Sequence, residues 1–264
     1  MSNHGRHYWD ANVTLSESAG YYHSLAQQLS PYDDNPLDLT IFVSCYNEEN
    51  FIAETLSTII QAMEIVGKPY EIIVIDDGSN DKSVEIVQDF LCQHQQINII
   101  HRINKHNKGL AQNFVDGAFI GRGKYYRLIC GDNAEPIATI VSVLSKMGQA
   151  DMIIPYYVSA EGKSLFRRAV SSFYTMLINL ISGNCIYYYN GLQVHLRHNV
   201  MRWHPNTRGF GFQAGLVCLL LEIGFTYEQV PCITIERRGG NGNALNLRNL
   251  RSVMHTIVSI CYAD

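Results

Sequence analysis

Charge is scarce in this chain of 264 residues: Asp, Glu, Lys and Arg make up 17%, against 47% hydrophobic residues. That balance excludes a disordered or fibrous chain and leaves enough apolar mass for a large buried core. Cations are not in excess. With 20 Lys and Arg against 24 Asp and Glu, a broad nucleic-acid-binding surface, which must displace phosphate counterions, is excluded. The seven cysteines contain no Cys-x-x-Cys pair and sit mostly in apolar runs such as Val43–Tyr46 and Leu216–Leu221. They read as buried free thiols of a reducing compartment. A continuous apolar span is missing as well. Ala169–Leu196 has no Asp, Glu, Lys or Arg, but Ser171, Ser172, Thr175, Asn179, Ser182, Gly183, Asn184 and Asn190 interrupt it, so no transmembrane helix is read. Residues 1–38 are polar and turn-rich with no apolar run behind the basic start, which predicts a loosely docked N-terminal arm, no secretory signal and a cytoplasmic protein.

From residue 39 onward, strand and helix patterns alternate. Leu39–Ser44 and Glu71–Ile75 are near-continuous apolar runs of the kind buried parallel strands show, and Ile97–His101 and Tyr125–Cys130 repeat the signal more weakly. Phe51–Val66 puts Ile52, Leu56, Ile59, Ile60 and Met63 on one helical face, and Ser83–Cys92 does the same with Val84, Val87 and Leu91. This alternation predicts an α/β, doubly wound, mostly parallel sheet flanked by helices, with the ligand site at the carboxyl ends of its strands. No repeat, low-complexity tract or long linker divides the chain. One domain over 39–264 is expected, with a nucleotide-binding half over about 39–135 and an acceptor half over about 136–264.

Three polar clusters fall at the expected strand ends: Cys45-Tyr46-Asn47-Glu48-Glu49, Asp76-Asp77-Gly78-Ser79 and Cys130-Gly131-Asp132-Asn133. The Asp-Asp-Gly-Ser turn can aim a carboxylate, Asp77, at a nucleobase or ribose while glycine lets the backbone turn. Asn107, Lys108 and Gly109 offer amides and a cation suited to a sugar or phosphate. A hard divalent cation on a nucleotide diphosphate takes one or two carboxylates, here Asp132 with Glu135 as the second, and Cys130 is a poor ligand for Mg2+.

These motifs, in this order, resemble the family 2 glycosyltransferases of the GT-A fold, and among them the dolichol-phosphate and polyprenyl-phosphate sugar synthases. The resemblance covers about residues 39–250. The family's Pro-x-Tyr-Asn-Glu matches Ser44–Glu48 with Ser44 in place of proline, its Val-x-Asp-Asp-Gly-Ser matches Val74–Ser79 fully, and its Asn-x-Gly matches Asn107–Gly109. Its Asp-x-Asp falls on Cys130–Asp132, where only the second aspartate is kept, and the glutamine that often follows is Ala134. Arg208–Gln213 resembles the Gly-Tyr-x-Phe-Gln segment of the lipid-phosphate synthases, Asn190–Gln193 their Ser-Gly-Phe-Arg turn, and Val230–Arg238 their Val-Pro-Ile and Arg stretch.

The resemblance implies an inverting glycosyltransferase that moves a sugar from a nucleotide-diphosphate sugar to a polyprenyl or dolichyl phosphate, with Mg2+ or Mn2+ as cofactor. It implies Ser44, Tyr46, Asn47, Glu48, Asp76, Asp77, Asn107, Lys108, Gly109, Arg237 and Arg238 on the donor, and Asp132 and Gln213 at the reacting centre. A hydroxyl acceptor needs a general base, whereas a phosphate monoester with a second pKa of about 6 is already anionic at neutral pH. The amide at Gln213 therefore favours a phosphate acceptor. Arg167 and Arg168 begin a helix expected over Leu165–Ile181, where cations oppose the helix dipole unless they face an anion, and are assigned to the acceptor phosphate. That helix carries a polar stripe, Arg168, Ser172, Thr175, Asn179 and Ser182, expected to face water. Its apolar side, Phe166, Val170, Phe173, Leu177 and Leu180, is expected in a core, with a membrane interface as the alternative. Leu245–Tyr262 is a second amphipathic segment that packs on the domain or lies on a membrane. His195 and His198 lack acidic or thiol neighbours in sequence and are read as ordinary polar residues. Two other readings stay open: transfer to a hydroxyl of a polysaccharide or glycolipid with Glu222 as base, and a noncatalytic nucleotide-sugar-binding protein. A nucleotidyltransferase is disfavoured, because no Gly-rich loop with a basic residue follows the first strand.

Overall fold

The computed structural model describes residues 37–160, 165–204 and 211–234, with residues 159, 160, 165–168 and 234 described by their backbone alone. The elements run β1 (Leu39–Cys45), α1 (Ile52–Val66), β2 (Tyr70–Asp76), α2 (Ser83–Gln93), β3 (Ile99–Ile103), α3 (Leu110–Ile120), β4 (Tyr125–Cys130), α4 (Ile137–Leu144) and β5 (Met152–Ala160). They continue with α5 (Leu165–Ser182), β6 (Val194–Leu196), α6 (Arg197–Arg202), α7 (Phe212–Glu222) and β7 (Tyr227–Thr234). The strands form one seven-stranded sheet in the order β3-β2-β1-β4-β6-β5-β7. β1 pairs in parallel with both β2 and β4, and β5 with β7, while β6 is antiparallel to β4 and β5.

The near-continuous apolar runs follow from burial of the sheet on both faces. Successive strand side chains point to opposite sides. Leu39, Ile41, Val43 and Cys45 of β1 join one core cluster with α1, α2 and α4, while Phe42 joins the other with α3, α5 and α7. α1 buries Ile52, Leu56, Ile59 and Met63, the stripe its spacing predicts, and stops at Gly67, whose left-handed φ of 65° lets its N–H donate to the Met63 carbonyl at 2.9 Å. β3 begins two residues later than expected, because the Ile97 N–H is spent on a turn with the His94 carbonyl.

Polar groups inside this sheet are paired or neutral. Glu71 opens an apolar run yet is fully buried, and it accepts hydrogen bonds from Thr40 Oγ1 at 2.7 Å, from Arg122 Nε at 3.2 Å and from the Arg122 backbone N–H. His195 on β6 lies in the core, where burial pushes its pKa down to about 3. Burial, then Arg202 and Arg197, push His198 down to about 4. Both are therefore neutral when folded at neutral pH, whereas the unfolded chain protonates them at the ordinary value of 6.5.

The sign of the pH dependence follows. Their folded pKa values are depressed, so stability is intact above pH 6.5 and is lost as pH falls toward the folded values, each histidine adding a slope of up to about 1.4 kcal/mol per pH unit. Denaturant unfolding at stepped pH should show this acid limb, and His195→Leu should flatten it. An unchanged slope in that variant would remove His195 from the account.

Six cysteines fall among the described residues and all are free; Cys92 and Cys185 are exposed, which corrects the expectation that the thiols are buried. Among the described residues no helix is long and apolar enough to cross a membrane.

Candidate functional site

The strand order places the site. β1 has β2 on one side and β4 on the other, so the chain reverses its winding at β1, and a crevice opens at the carboxyl ends of these strands. Register brings the polar clusters level: Cys45 stands opposite Asp76, and Ser44 opposite Cys130.

Short side chains lace the first cluster to the second. Asn47 adopts a left-handed φ of 56°, its N–H donates to Ser79 Oγ at 2.9 Å, and its Oδ1 accepts from the Asn80 N–H at 2.9 Å. The Glu48 N–H donates to Ser83 Oγ at 2.8 Å. Asp76 is buried and turned onto its own loop, Oδ1 accepting from the N–H groups of Gly78 and Ser79 and Oδ2 from Ser79 Oγ at 2.6 Å. Tyr46 is left exposed at the mouth. Burial and then Asp76 push the Cys45 thiol up to about 12, so it stays protonated.

Asp77 holds the loop between β3 and α3. Its Oδ1 accepts from Asn104 Nδ2 at 2.9 Å and from the Lys108 N–H at 2.8 Å, and its Oδ2 from the Gly109 N–H at 2.9 Å. Asn104 also donates to Asn113 Oδ1 at 2.8 Å. Asn107, Lys108 and Gly109 are thus brought to the Asp76-Asp77 turn. Gly109 has a φ of 88°, a conformation open mainly to glycine. The Lys108 ammonium meets Asp116 at 2.9 Å, where Arg102 also pairs at 3.0 Å.

At the end of β4 the backbone is fixed independently of the acidic side chains. The Gly131 N–H donates to the Ser44 carbonyl at 2.9 Å, its carbonyl accepts from Thr55 Oγ1 at 2.9 Å, and a Cβ on Gly131 would stand 2.7 Å from the Ser44 oxygen. Asn133 takes a left-handed φ of 50°. Among the described residues Asp132 makes a single long bond, from the Ala134 N–H to Oδ1 at 3.3 Å. Its carboxylate is the group here that can take a cation, with phosphate and water oxygens completing the shell. Among the described residues no three His, Cys, Asp or Glu side chains converge as a metal cage.

Glu135 is placed differently. Both of its oxygens lie 3.0 Å from Arg127 Nη2, and Tyr157 Oη approaches Oε1 at 3.5 Å. Burial raises its pKa, the Arg127 guanidinium opposes that, and Asp132 adds to it. Burial, followed by Asp132 and Glu135, also holds the Cys130 thiol far above its ordinary value.

Gln213 is buried in the first turn of α7, and Glu222 is exposed at its last residue. Nine residues at 1.5 Å rise separate them by about 13 Å, so the two cannot serve one reacting centre. Arg167 and Arg168 are the third and fourth residues of α5, and their side chains lie outside the described residues. Arg237, Arg238, the arm over 1–36 and Leu245–Tyr262 lie outside them as well.

The faces of α5 depart from the expectation in part, Ser172 of the polar stripe being exposed as expected. Thr175 and Tyr174 are buried. Asn179, from the stripe read as solvent-facing, accepts from the Ile186 N–H and from Tyr189 Oη and donates to the Ile186 carbonyl. Of the apolar side read as core, Val170, Phe173 at 61% and Leu180 at 78% are exposed and Leu177 is half-buried, and Met176 beside them is exposed as well. Hydrogen-bond partners supplied by the Ile186–Tyr189 segment hold Asn179 on the inner side of the helix, and Phe173 and Leu180 turn out.

Two site residues escaped the motif reading. Asn104 carries no signal in sequence, since its role depends on where β3 ends. Arg127 carries one: a cation in the middle of the Tyr125–Cys130 strand must find a buried anion.

Comparison with known proteins agrees with this fold. A family model described as Glycosyl transferase family 2 covers residues 40–207. The chain is 26% identical over 168 residues to undecaprenyl-phosphate 4-deoxy-4-formamido-L-arabinose transferase of Pectobacterium atrosepticum, spanning 63% of this chain and 51% of that protein. It is 30% identical over 131 residues to dolichyl-phosphate beta-glucosyltransferase of Dictyostelium discoideum, spanning 47% of this chain and 39% of that one. The chain thus spans about half the length, or less, of the curated relatives it matches. In fold it is similar to glucosyl-3-phosphoglycerate synthase from Mycobacterium tuberculosis, crystallised with Mn2+, UDP and phosphoglyceric acid, with a TM-score of 0.64 at 15% identity over 97% of this chain and 85% of that one. The fold is GT-A. With the family model covering well over half of its length, this chain belongs to glycosyl transferase family 2.

Proposed function

We propose that this chain is the catalytic unit of an inverting transferase that moves a sugar from a nucleotide-diphosphate sugar to a polyprenyl or dolichyl phosphate at the cytoplasmic face of a membrane. The half over 39–135 binds the donor and the half over 136–264 the acceptor. The acceptor assignment is carried by a pair of features: an amide, Gln213, at the start of α7, and an apolar face of α5 turned outward. A phosphate acceptor is ionised without a protein base, which suits an amide, and a lipid surface suits the exposed face.

On the donor side, the Asn47–Glu49 and Gly78–Ser83 turns form one wall and the Asn107–Gly109 loop another. Asp132 would hold Mg2+ or Mn2+, which would supply charge neutralisation for the diphosphate leaving group. Arg167 and Arg168 grip the acceptor phosphate, and Arg237 and Arg238 close on the donor. The relatives named for undecaprenyl-phosphate and dolichyl-phosphate transfer support the lipid-phosphate class, and the Mn2+ and UDP bound to the Mycobacterium tuberculosis enzyme support the cation.

A panel of nucleotide sugars with polyprenyl phosphate, polyprenol and free sugars as acceptors tests the assignment. Transfer to the phosphate alone, with a rate that follows its ionisation at a pH of about 6, is the expected outcome. Transfer to polyprenol or to a sugar hydroxyl instead would replace it with the hydroxyl-acceptor reading. Binding without turnover on any acceptor would replace it with a noncatalytic one. The exposed face of α5 has its own expected outcome. Phe173→Ser with Leu180→Ser should lower co-sedimentation with phosphatidylcholine and phosphatidylglycerol vesicles on the order of tenfold or more, with native donor affinity kept.

A further inference from the structure

We infer that Arg127 is a positioning residue of the donor site, with Glu135 as its counter-ion and not a ligand of the cation. This rests on the reading that Asp132 carries the donor's cation. Arg127 lies in the middle of β4, five residues before Asp132, with no exposure to solvent, and Glu135 is 4% exposed. Three contacts define what it joins. Its Nη2 meets both Glu135 oxygens at 3.0 Å, three residues after Asp132, and its Nε donates to the Leu192 carbonyl at 3.1 Å. The guanidinium therefore ties the loop that bears Asp132 to the Asn190–Gln193 turn, which leads into β6, the neighbour of β4 in the sheet. That turn is itself packed against β5, since a Cβ on Gly191 would stand 2.3 Å from the Pro155 carbonyl oxygen.

Stability alone does not account for this pair. Arg127 Nη1 is buried and has no hydrogen-bond partner among the described residues, and taking two charges out of water costs several kcal/mol that an apolar pair of similar volume does not incur. What the apolar pair would not supply is the fork that holds two loops at once. A fork with a fixed planar geometry restricts the Asp132 loop, already pinned at Gly131, from its other end as well. The carboxylate of Asp132 then meets the cation without ordering the loop at the moment of binding.

Calorimetric titration of UDP and of GDP into the full chain, each with and without Mn2+, tests this without turnover. Four variants are compared: Asp132→Ala, Glu135→Gln, Arg127→Lys and the double variant Arg127→Met with Glu135→Leu. The double variant is expected to unfold at the native temperature or above, to keep the cation-independent nucleotide affinity, and to lose about tenfold of the gain that Mn2+ gives, equivalent to about 1.4 kcal/mol. Arg127→Lys should lose the same gain, because a single ammonium cannot serve Leu192 and Glu135 together. It answers the question even if the double variant folds poorly. Glu135→Gln should keep most of the gain, since its amide oxygen still accepts from Arg127. A loss in Glu135→Gln as large as in Asp132→Ala would make Glu135 a cation ligand and overturn the inference. A native gain in both Arg127→Lys and the double variant would overturn it too, with the cation reading intact if Asp132→Ala loses its gain. An unchanged gain in Asp132→Ala would overturn the cation reading itself, and this inference with it.

Discussion

Turnover in the Asp132→Ala variant is expected to fall by about two to three orders of magnitude, the range seen when one stabiliser of developing transition-state charge is removed. The structure makes this a clean test. The backbone at Gly131 is fixed by the Ser44 carbonyl and by Thr55 Oγ1, and the Asp132 side chain reaches the Asn133 turn only through its long bond from the Ala134 N–H. The one hydrogen bond lost among the described residues, from the Ala134 N–H, is 3.3 Å long, so stability should change by no more than about 1 kcal/mol. Rate measurements in Mn2+ beside thermal unfolding therefore separate chemistry from folding. A native rate would show that the diphosphate is stabilised elsewhere, and a large drop in the unfolding temperature would show that Asp132 is part of the scaffold.

Replacing Asp77 with Ala is expected to destabilise the fold by about 3 kcal/mol or more, a large share of the roughly 5–15 kcal/mol that holds a domain together. Three donors converge on this carboxylate, Asn104 Nδ2 and the N–H groups of Lys108 and Gly109. Removing it strands donors in a part-buried loop whose glycine sits at a φ of 88°. Asn at this position should not rescue, because its amide NH2 would face a backbone N–H where an oxygen is needed. Donor affinity should fall with stability, since the Asn107–Gly109 loop loses its anchor. Denaturant unfolding and nucleotide titration on the same protein decide the matter. Lost nucleotide affinity at native stability would give Asp77 the direct nucleoside contact that the motif implies in place of the loop-holding role.

The contrast between these two aspartates shows how far motifs reach. Both belong to motifs legible in the sequence, and both fall at strand ends brought level by the register of β1 with β2 and β4. The sequence does not say which carboxylate is spent on the protein and which remains open. That depends on where the β3–α3 loop passes, and Asn104 and the Gly109 φ become meaningful only when that loop is seen against Asp77. Glu135 illustrates the same limit. Its spacing from Asp132 makes it a reasonable second cation ligand, yet the one strongly buried cation of β4 lies 3.0 Å away and takes both oxygens.

Amino-acid order alone determined the alternation of strands and helices, the burial of the sheet on both faces and the place of the crevice. These follow from local periodicity and from the rule that parallel strands need crossover helices. Tertiary structure decided the antiparallel insertion of β6, the pairing of Arg127 with Glu135 and the outward turn of the apolar side of α5. Periodicity gives a helix two faces but not their neighbours. Asn179 faces inward because the Ile186–Tyr189 segment supplies its hydrogen bonds, and that leaves Phe173 and Leu180 pointing away from the protein.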